Sequence, residues 1–208
     1  TKERFMKDVK WMNKLQLKAS YGSVGNSSGL SPYMAMGLVG TGPLYNGVGG
    51  TAVANPANPD LTWEVVKSTN IAINTRMFNR VNLDVELYNR DTEDMLMDIP
   101  YSYTTGFSGG WGNVASMRNK GVDVTANFEI LQDFHDIDWN ISANLNYNEN
   151  EITSLFNGMD EYVLANTGLK LQVGKPYGEY FYTRWAGVDP RDGYNMWYDK
   201  NGNITKQY

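Results

Sequence analysis

Between Asn119 and Asn150 the chain alternates in a way that suits an extended backbone. Val122, Val124, Ala126, Phe128 and Ile130 are apolar, and Asp123, Thr125, Asn127 and Glu129 separate them. A polar break runs from Gln132 to Asp138. The pattern then resumes in the other phase, with Trp139, Ile141, Ala143, Leu145 and Tyr147 alternating with Asn140, Ser142, Asn144, Asn146 and Asn148. Successive side chains of a strand point to opposite sides, so these runs predict a hairpin with one oily face and one wet face. Each run is about ten residues long. At roughly 3.3 Å per residue and about 45° of tilt, that length fits the ~25 Å apolar band of a β-barrel in an outer membrane. A half-buried soluble sheet shows the same alternation. The asparagine row is accordingly either a solvated face or the wall of a water-filled lumen.

The same signature recurs. Leu15, Leu17, Ala19 and Tyr21 alternate with Gln16, Lys18 and Ser20, which predicts a strand from Asn13 to Val24. Leu61–Phe78 is the next strand, with Thr69, Ile71, Ile73 and Thr75 on one face. Phe78-Asn79-Arg80 is a tight turn, because asparagine tolerates a positive φ. Val81, Leu83, Val85 and Leu87 then alternate with Asn82, Asp84, Glu86 and Tyr88. Shorter strands are expected at Pro32–Val39, at Leu169–Val173, and at Gly178–Ala186, which carries Tyr180, Phe181, Tyr182 and Trp185. A hairpin is expected over Tyr194–Ile204 around Asp199-Lys200-Asn201-Gly202. Thr1–Lys10 reads as a connector.

The connections have a rhythm. Phe78–Arg80 and Gln132–Asp138 are short, whereas Gly25–Asp60, Met95–Asn113 and Ile152–Thr167 are long. In an up-and-down barrel, short and long connections in alternation collect on opposite rims, as short periplasmic turns and long extracellular loops. A Greek-key sandwich gives no reason for that order.

Composition removes several classes. No run of about 18 apolar residues exists, so a transmembrane helix is excluded, while a barrel is not. The net charge of −5 argues against a nucleic-acid partner. Cysteine is absent, so there is neither a disulfide framework nor a thiolate metal site. Thr1–Lys14 is charged and lacks an apolar signal core, so the expectation is either a cytoplasmic protein or a mature or partial chain.

Residue patterns for catalysis are thin. His135, the single histidine, sits among Asp133, Asp136 and Asp138 in a polar turn. Asp91, Glu93 and Asp94 cluster where a strand leaves the sheet. Asp199, Asn201 and Asn203 begin like a calcium loop, but Gly202 is one place early and no Glu closes it. Gly22, Gly25 and Gly29 fit no phosphate-loop spacing. No catalytic residue, metal site or cofactor is expected. The aromatics Tyr101, Tyr103, Phe107 and Trp111, among Gly106, Gly109, Gly110 and Gly112, serve one of three ends: contact with a solute such as a sugar ring, contact with a partner, or cover for the sheet.

Several segments resemble a known family. Ala19-Ser20-Tyr21-Gly22-Ser23-Val24-Gly25-Asn26 is similar to the SYG-x-x-GN motif of SusC/RagA-type TonB-dependent outer-membrane transporters. Asn58-Pro59-Asp60-Leu61-Thr62-Trp63-Glu64 resembles their NP-x-L-x-WE motif. Asn113-Val114 with Arg118-Asn119-Lys120-Gly121-Val122-Asp123 resembles N-x-G-x-x-x-N-K-G-x-E, with Ala115 and Asp123 as departures. Gly174-Lys175-Pro176 through Gly187-Val188-Asp189-Pro190 resembles GKP…G-x-D-P. The motifs keep the family's order.

The resemblance implies an all-β, antiparallel transmembrane barrel, of about 22 strands in the whole family member, with a plug inside it. It also implies a SusD-like surface lipoprotein as lid, coupling to TonB, and uptake of oligosaccharides or peptides at the outer membrane of a Bacteroidetes-type cell. A signal peptide, plug and TonB box are not recognised, so residues 1–208 are expected to be an internal part of the barrel domain. In that frame Val81, Leu83, Val85, Leu87, Trp139, Ile141 and Leu145 face outer-membrane lipid, and Tyr101, Tyr103, Phe107 and Trp111 are the candidate substrate contacts. The competing expectation is a soluble all-β module that binds glycans with those loop aromatics.

Overall fold

The computed structural model describes residues 6, 8–164 and 167–206; most of the expected connector at Thr1–Lys10 lies outside them. In chain order the strands are β1 (Met12–Asn26), β2 (Val39–Tyr45), β3 (Val48–Val53), β4 (Glu64–Met77), β5 (Val81–Pro100), β6 (Gly109–Phe134), β7 (Ile137–Ser154), β8 (Glu161–Leu164), β9 (Leu169–Gln172), β10 (Glu179–Tyr180), β11 (Trp185–Val188), β12 (Asn195–Tyr198) and β13 (Ile204–Thr205). The main body is a five-stranded antiparallel sheet in the order β1-β4-β5-β6-β7. The hairpin β2–β3 is carried on the connection between β1 and β4. Strands β8–β10 and β11–β13 form two small sheets after β7.

Register decides the faces. Leu17, Ile73, Val85, Val124 and Leu145 stand side by side across all the strands of the main sheet. The adjacent row on the other face is Lys18, Ala72, Glu86, Asp123 and Asn146. Because alternation holds on every strand, the oily side chains merge into one band and the polar ones into one wall. The oily band is open: Leu17 is 70% and Leu145 63% exposed. The buried core lies elsewhere. It is the cluster of Ile152, Leu155 and Leu171, with Met97, Tyr162, Leu164 and Val173 against it, where β8 and β9 fold over the far ends of β5 and β7.

Several expected boundaries move. The polar break after Leu131 shrinks to a two-residue turn, His135-Asp136, with φ of 52° and 61°. Phe78-Asn79, within the three-residue connection Phe78–Arg80, takes the same left-handed values, with φ of 53° and 54°. Positive φ at both central residues is the turn whose twist matches a hairpin, so the ladder runs up to Phe134 and restarts at Ile137.

The expected long loop Met95–Asn113 is largely strand, with β5 continuing to Pro100 and β6 starting at Gly109. Its glycines read as loop signals but serve as clearance. Ile99 Cδ1 lies 2.7 Å from where a Cβ of Gly112 would stand, and the Tyr101 hydroxyl 2.9 Å from that of Gly110. Residues 32–38 form no strand, and of the expected Pro32–Val39 only Val39 enters one, at the start of β2. The long connection instead holds β2–β3 around Asn46-Gly47, whose φ values of 50° and 77° make a turn of the same kind. The expected loop after Ile152 begins only after Ser154, and contains β8 and a short 3-10 turn at Phe156–Gly158. Gly178–Ala186 is not one strand: β10 and β11 flank an unpaired stretch over Phe181–Arg184.

Candidate functional site

The apolar band is bounded at both ends. Toward the tight turns it finishes in aromatic rings: Trp11 stacks on Phe78 with centroids 5.8 Å apart, Phe134 meets His135 edge-on at 4.4 Å, and Trp139, two residues into β7, is exposed. Toward the other rim it reaches Tyr21 and Tyr147 and then turns ionic on the same face. Arg118 Nε donates to Asp91 at 2.6 Å, Lys67 Nζ to Glu93 at 2.6 Å, and Lys120 lies 3.4 Å from Glu149. Asp91 and Glu93, part of the acidic cluster seen in the sequence, are therefore spent in ion pairs. Asp94 takes a positive φ of 55° at the bulge between Thr92 and Met95. Among the described residues no group of His, Cys, Asp and Glu can hold a metal ion.

On β7 the band runs from Ile137 to Tyr147. At about 3.3 Å per residue and about 45° of tilt, its height is roughly 25 Å. Val81, Leu83, Val85, Leu87, Trp139, Ile141 and Leu145 all belong to it by register. Trp139, Ile141, Leu145 and Leu87 are exposed, while Val81, Leu83 and Val85 are half-buried among their neighbours.

The polar wall is knitted strand to strand. Asn74 donates to Asp84, Asn146 to Asp123, and Ser142 to Asn127. Arg76 bridges β4 to Glu129 on β6 at 3.3 Å. Tyr88 crosses Gly121 with the hydroxyl end of its ring and donates to Asn148 Oδ1, 3.0 Å away. A Cβ at Gly121 would stand 2.5 Å from that hydroxyl and inside the Tyr147 carbonyl oxygen. The wall thus needs glycine at this crossing.

The motif residues converge above the ionic end of the band. Glu64 accepts the Leu96 backbone N–H at 3.0 Å and the Asn26 side-chain amide at 3.1 Å. The Asn113 side chain accepts from Thr62 N at 2.9 Å and donates to Thr62 O and Asp94 O at 2.8 Å each. Asn58 donates to Trp111 O at 2.9 Å. Trp63 closes over Gly25, whose Cβ would meet its ring at 3.1 Å. The Lys175 segment joins β7 from the other side: Ile152 N donates to Lys175 O and Gly174 N to Ile152 O, at 2.9 and 2.8 Å, and Tyr177 N donates to Asn150 Oδ1 at 2.7 Å. These contacts hold the two ends of the β1–β4 connection and the first segment after β9 onto the strand ladder.

The candidate aromatics do not form one cluster. Tyr101 and Trp111 line a common groove with Met34, Asn55, Pro56 and Asn58. Trp111 is a strand residue of β6, opposite Asp98, and not a loop residue. Tyr103 stands alone, 86% exposed, in a 3-10 turn capped by Ser102 and Gly106. Phe107 is half-buried beside that turn.

The sequence singled out the aromatics of Gly178–Ala186 only as a surface. The structure places Phe181 and Tyr182 along a groove whose other side is Tyr198, Asp199, Lys200 and Gly202. His135 and the Asp199 loop are turns. Asp199 Oδ1 accepts the backbone N–H groups of Asn201 and Asn203, each at 2.8 Å. Those bonds, led by Asn203, hold its carboxyl below the usual range.

Comparison with known proteins agrees with this architecture. The family described as TonB dependent receptor-like, beta-barrel matches residues 8–207. TonB-dependent receptor P39 of Formosa agariphila is 30% identical over 100% of this chain and 20% of its own length. TonB-dependent receptor SusC of Bacteroides thetaiotaomicron is 25% identical over 98% of this chain and 22% of its own length. A solved structure of the RagAB peptide importer in its open-open state superposes with a TM-score of 0.84 at 36% identity, covering 99% of this chain and 23% of that one. The chain therefore spans about a fifth of the length of the curated relatives it matches. A sheet with one oily and one polar face, strands joined by tight turns on one rim, and a family match over nearly its whole length make this chain a member of the TonB-dependent receptor β-barrel family.

Proposed function

We propose that residues 1–208 are part of the barrel wall and outer loops of an outer-membrane nutrient importer that is energised through TonB and works with a SusD-like surface lipoprotein. The observation that carries this reading is the bounded band. An oily face about 25 Å tall, rimmed by rings at one end and ion pairs at the other, matches the hydrocarbon layer and its two interfaces. The polar wall behind it then lines the lumen, and its knitted amides and carboxylates offer hydrogen bonds to water and polar solute. The side with the tight turns faces the periplasm. The motif junction, β2–β3 and everything after β7 stand outside. The solute is an oligosaccharide or a peptide, and the groove at Tyr101 and Trp111 is the first candidate contact, with Tyr103 and Phe107 beside it. The wall performs no bond chemistry; it holds shape and selects.

Spin labels on the full-length protein in outer-membrane vesicles test the orientation. Labels at Leu83, Val85, Ile141 and Leu145 should be relaxed by lipid-soluble oxygen, and labels at Asp84, Glu86 and Asn144 by a water-soluble nickel chelate. Reversed or uniform accessibility would overturn the reading.

A further inference from the structure

The groove beside β10 and β12 combines features that the importer reading does not use. The unpaired stretch Phe181–Arg184 is held open by its own ends. Phe181 N donates to Gly168 O and Tyr198 N donates to Arg184 O, both at 2.8 Å. The Tyr182 hydroxyl is anchored on Thr167 O at 3.3 Å, which fixes the ring while leaving it 61% exposed. The Arg184 guanidinium lies over the Tyr198 ring, 5.0 Å from its centre, a cation–π contact that holds it at the groove. Lys200, in the Asp199 turn, also lines the groove.

The charge is unbalanced there. The one carboxylate on the lining, Asp199, has its oxygens taken by the backbone of its own turn and by the Asn203 amide. Among the described residues neither Arg184 nor Lys200 has an ion-pair partner, whereas the nearby Lys170 is paired with Glu161 at 2.5 Å. A preset guanidinium and a free ammonium beside exposed rings fit a solute with a carboxylate next to a flat or apolar flank. The guanidinium takes the carboxylate oxygens, the ammonium adds a point charge, and the rings cover the flank.

We propose that this groove is a subsite for carboxylate-bearing oligomers, in which Arg184 and Lys200 hold the acid group and Tyr182 and Phe181 pack on the adjoining ring or side chain. The inference rests on the importer reading, and it makes the outer rim select for negative charge. Two sources carry the chemistry: an oligosaccharide of uronic acids, or the C-terminal or acidic side-chain carboxylate of a peptide.

The test titrates the purified full-length receptor with trigalacturonate, with neutral trigalactose, with Ala-Phe-Glu, and with its fully amidated form. At least one acidic probe should bind about tenfold tighter than its neutral counterpart, and the gain should shrink at 0.5 M salt because partly exposed charges are screened. The doubly substituted Arg184→Gln, Lys200→Gln receptor should lose the difference while keeping its binding of the neutral probe. Whichever acid is preferred names the source. Equal or absent binding of acid and neutral probes, or a preference that survives the double substitution, overturns the subsite. Fractionation of the same variant reports independently on the importer reading: a receptor outside the outer membrane defeats that reading, while a charge preference of the purified protein would still stand.

Discussion

The Asn113 side chain clasps the backbone of Thr62 from both directions, accepting its N–H and donating to its carbonyl. A single amide thereby ties the return of the β1–β4 connection to β6, and its second donor bond, to Asp94 O, fixes the bulge on β5. Asn113→Leu keeps the size of the side chain and removes these bonds. At about 0.5–1.5 kcal/mol for each lost bond, the connection should loosen locally. The expected result is faster protease cleavage between residues 27 and 63 of the full-length receptor, at an unchanged rate of barrel unfolding. Unchanged cleavage would mean that the clasp is decorative.

Gly121 and Tyr88 make a sharper case. Gly121→Ala places a methyl into the Tyr147 carbonyl and the Tyr88 ring, so strands β6 and β7 must separate. The folded, heat-modifiable form on gels should disappear or fall severalfold. Tyr88→Ala should not rescue it, because the backbone clash remains. Tyr88→Phe loses only the bond to Asn148 and should cost about 1 kcal/mol or less.

Charge placed on the two faces of one strand should have opposite fates. Leu145 and Asn144 are neighbours on β7, pointing to the oily and the polar side. Leu83→Arg and Ile141→Arg should destabilise the assembled protein by about 2–4 kcal/mol near the midplane, and Leu145→Arg, closer to the rim, by less. Asn144→Arg should assemble normally. Urea unfolding in lipid vesicles reads the difference, and a cost for Asn144→Arg equal to that of Leu145→Arg or Ile141→Arg would contradict the assigned faces.

The end of the described chain is locked by charge. Lys206 pairs with Asp189 at 2.6 Å and also with Asp192. Those contacts depress both carboxyls and raise the Lys206 ammonium, with the bond from Lys206 the largest cause at each carboxyl and the bond to Asp189 the largest at the amine. A carboxyl whose pKa is lowered by folding contributes above its ordinary value and ceases to as pH falls through the depressed one. A raised lysine contributes below its ordinary value and ceases to as pH rises through the raised one. The β12–β13 pairing should therefore be insensitive across neutral pH and loosen at both extremes. Hydrogen exchange of the Thr205 amide follows this, and Lys206→Met should flatten both limbs. The groups are exposed, so high salt should reduce the effect.

Much of the wall was legible because its physics is local. Alternation at Val81–Leu87 and Trp139–Tyr147 needs only a strand and two solvents, so the faces followed from the residues themselves. The turn at Phe78-Asn79 was marked by asparagine. The turn at His135-Asp136 was overread as a seven-residue break, because polarity near it mimics a loop. Gly109, Gly110 and Gly112 misled for the opposite reason: glycine signals a turn until one knows that Ile99 and Tyr101 lie across it. The Asn46-Gly47 pair did carry a hairpin signal, which the surrounding glycine and proline obscured. What no local rule supplies is convergence over distance. Nothing in the spacing of Asn26, Glu64 and Leu96 says that they meet, or that Arg184 will lie against Tyr198.

In the proposed orientation the pairs Lys67–Glu93 and Arg118–Asp91 would also mark a waterline. Below them a side chain would be judged by its solubility in oil, above them by what it does in water. Because β6 reaches outward from Arg118 to its start at Gly109, the loops it carries would ride on a stiff turret clear of the headgroups, and a solute would be met before it came level with the bilayer.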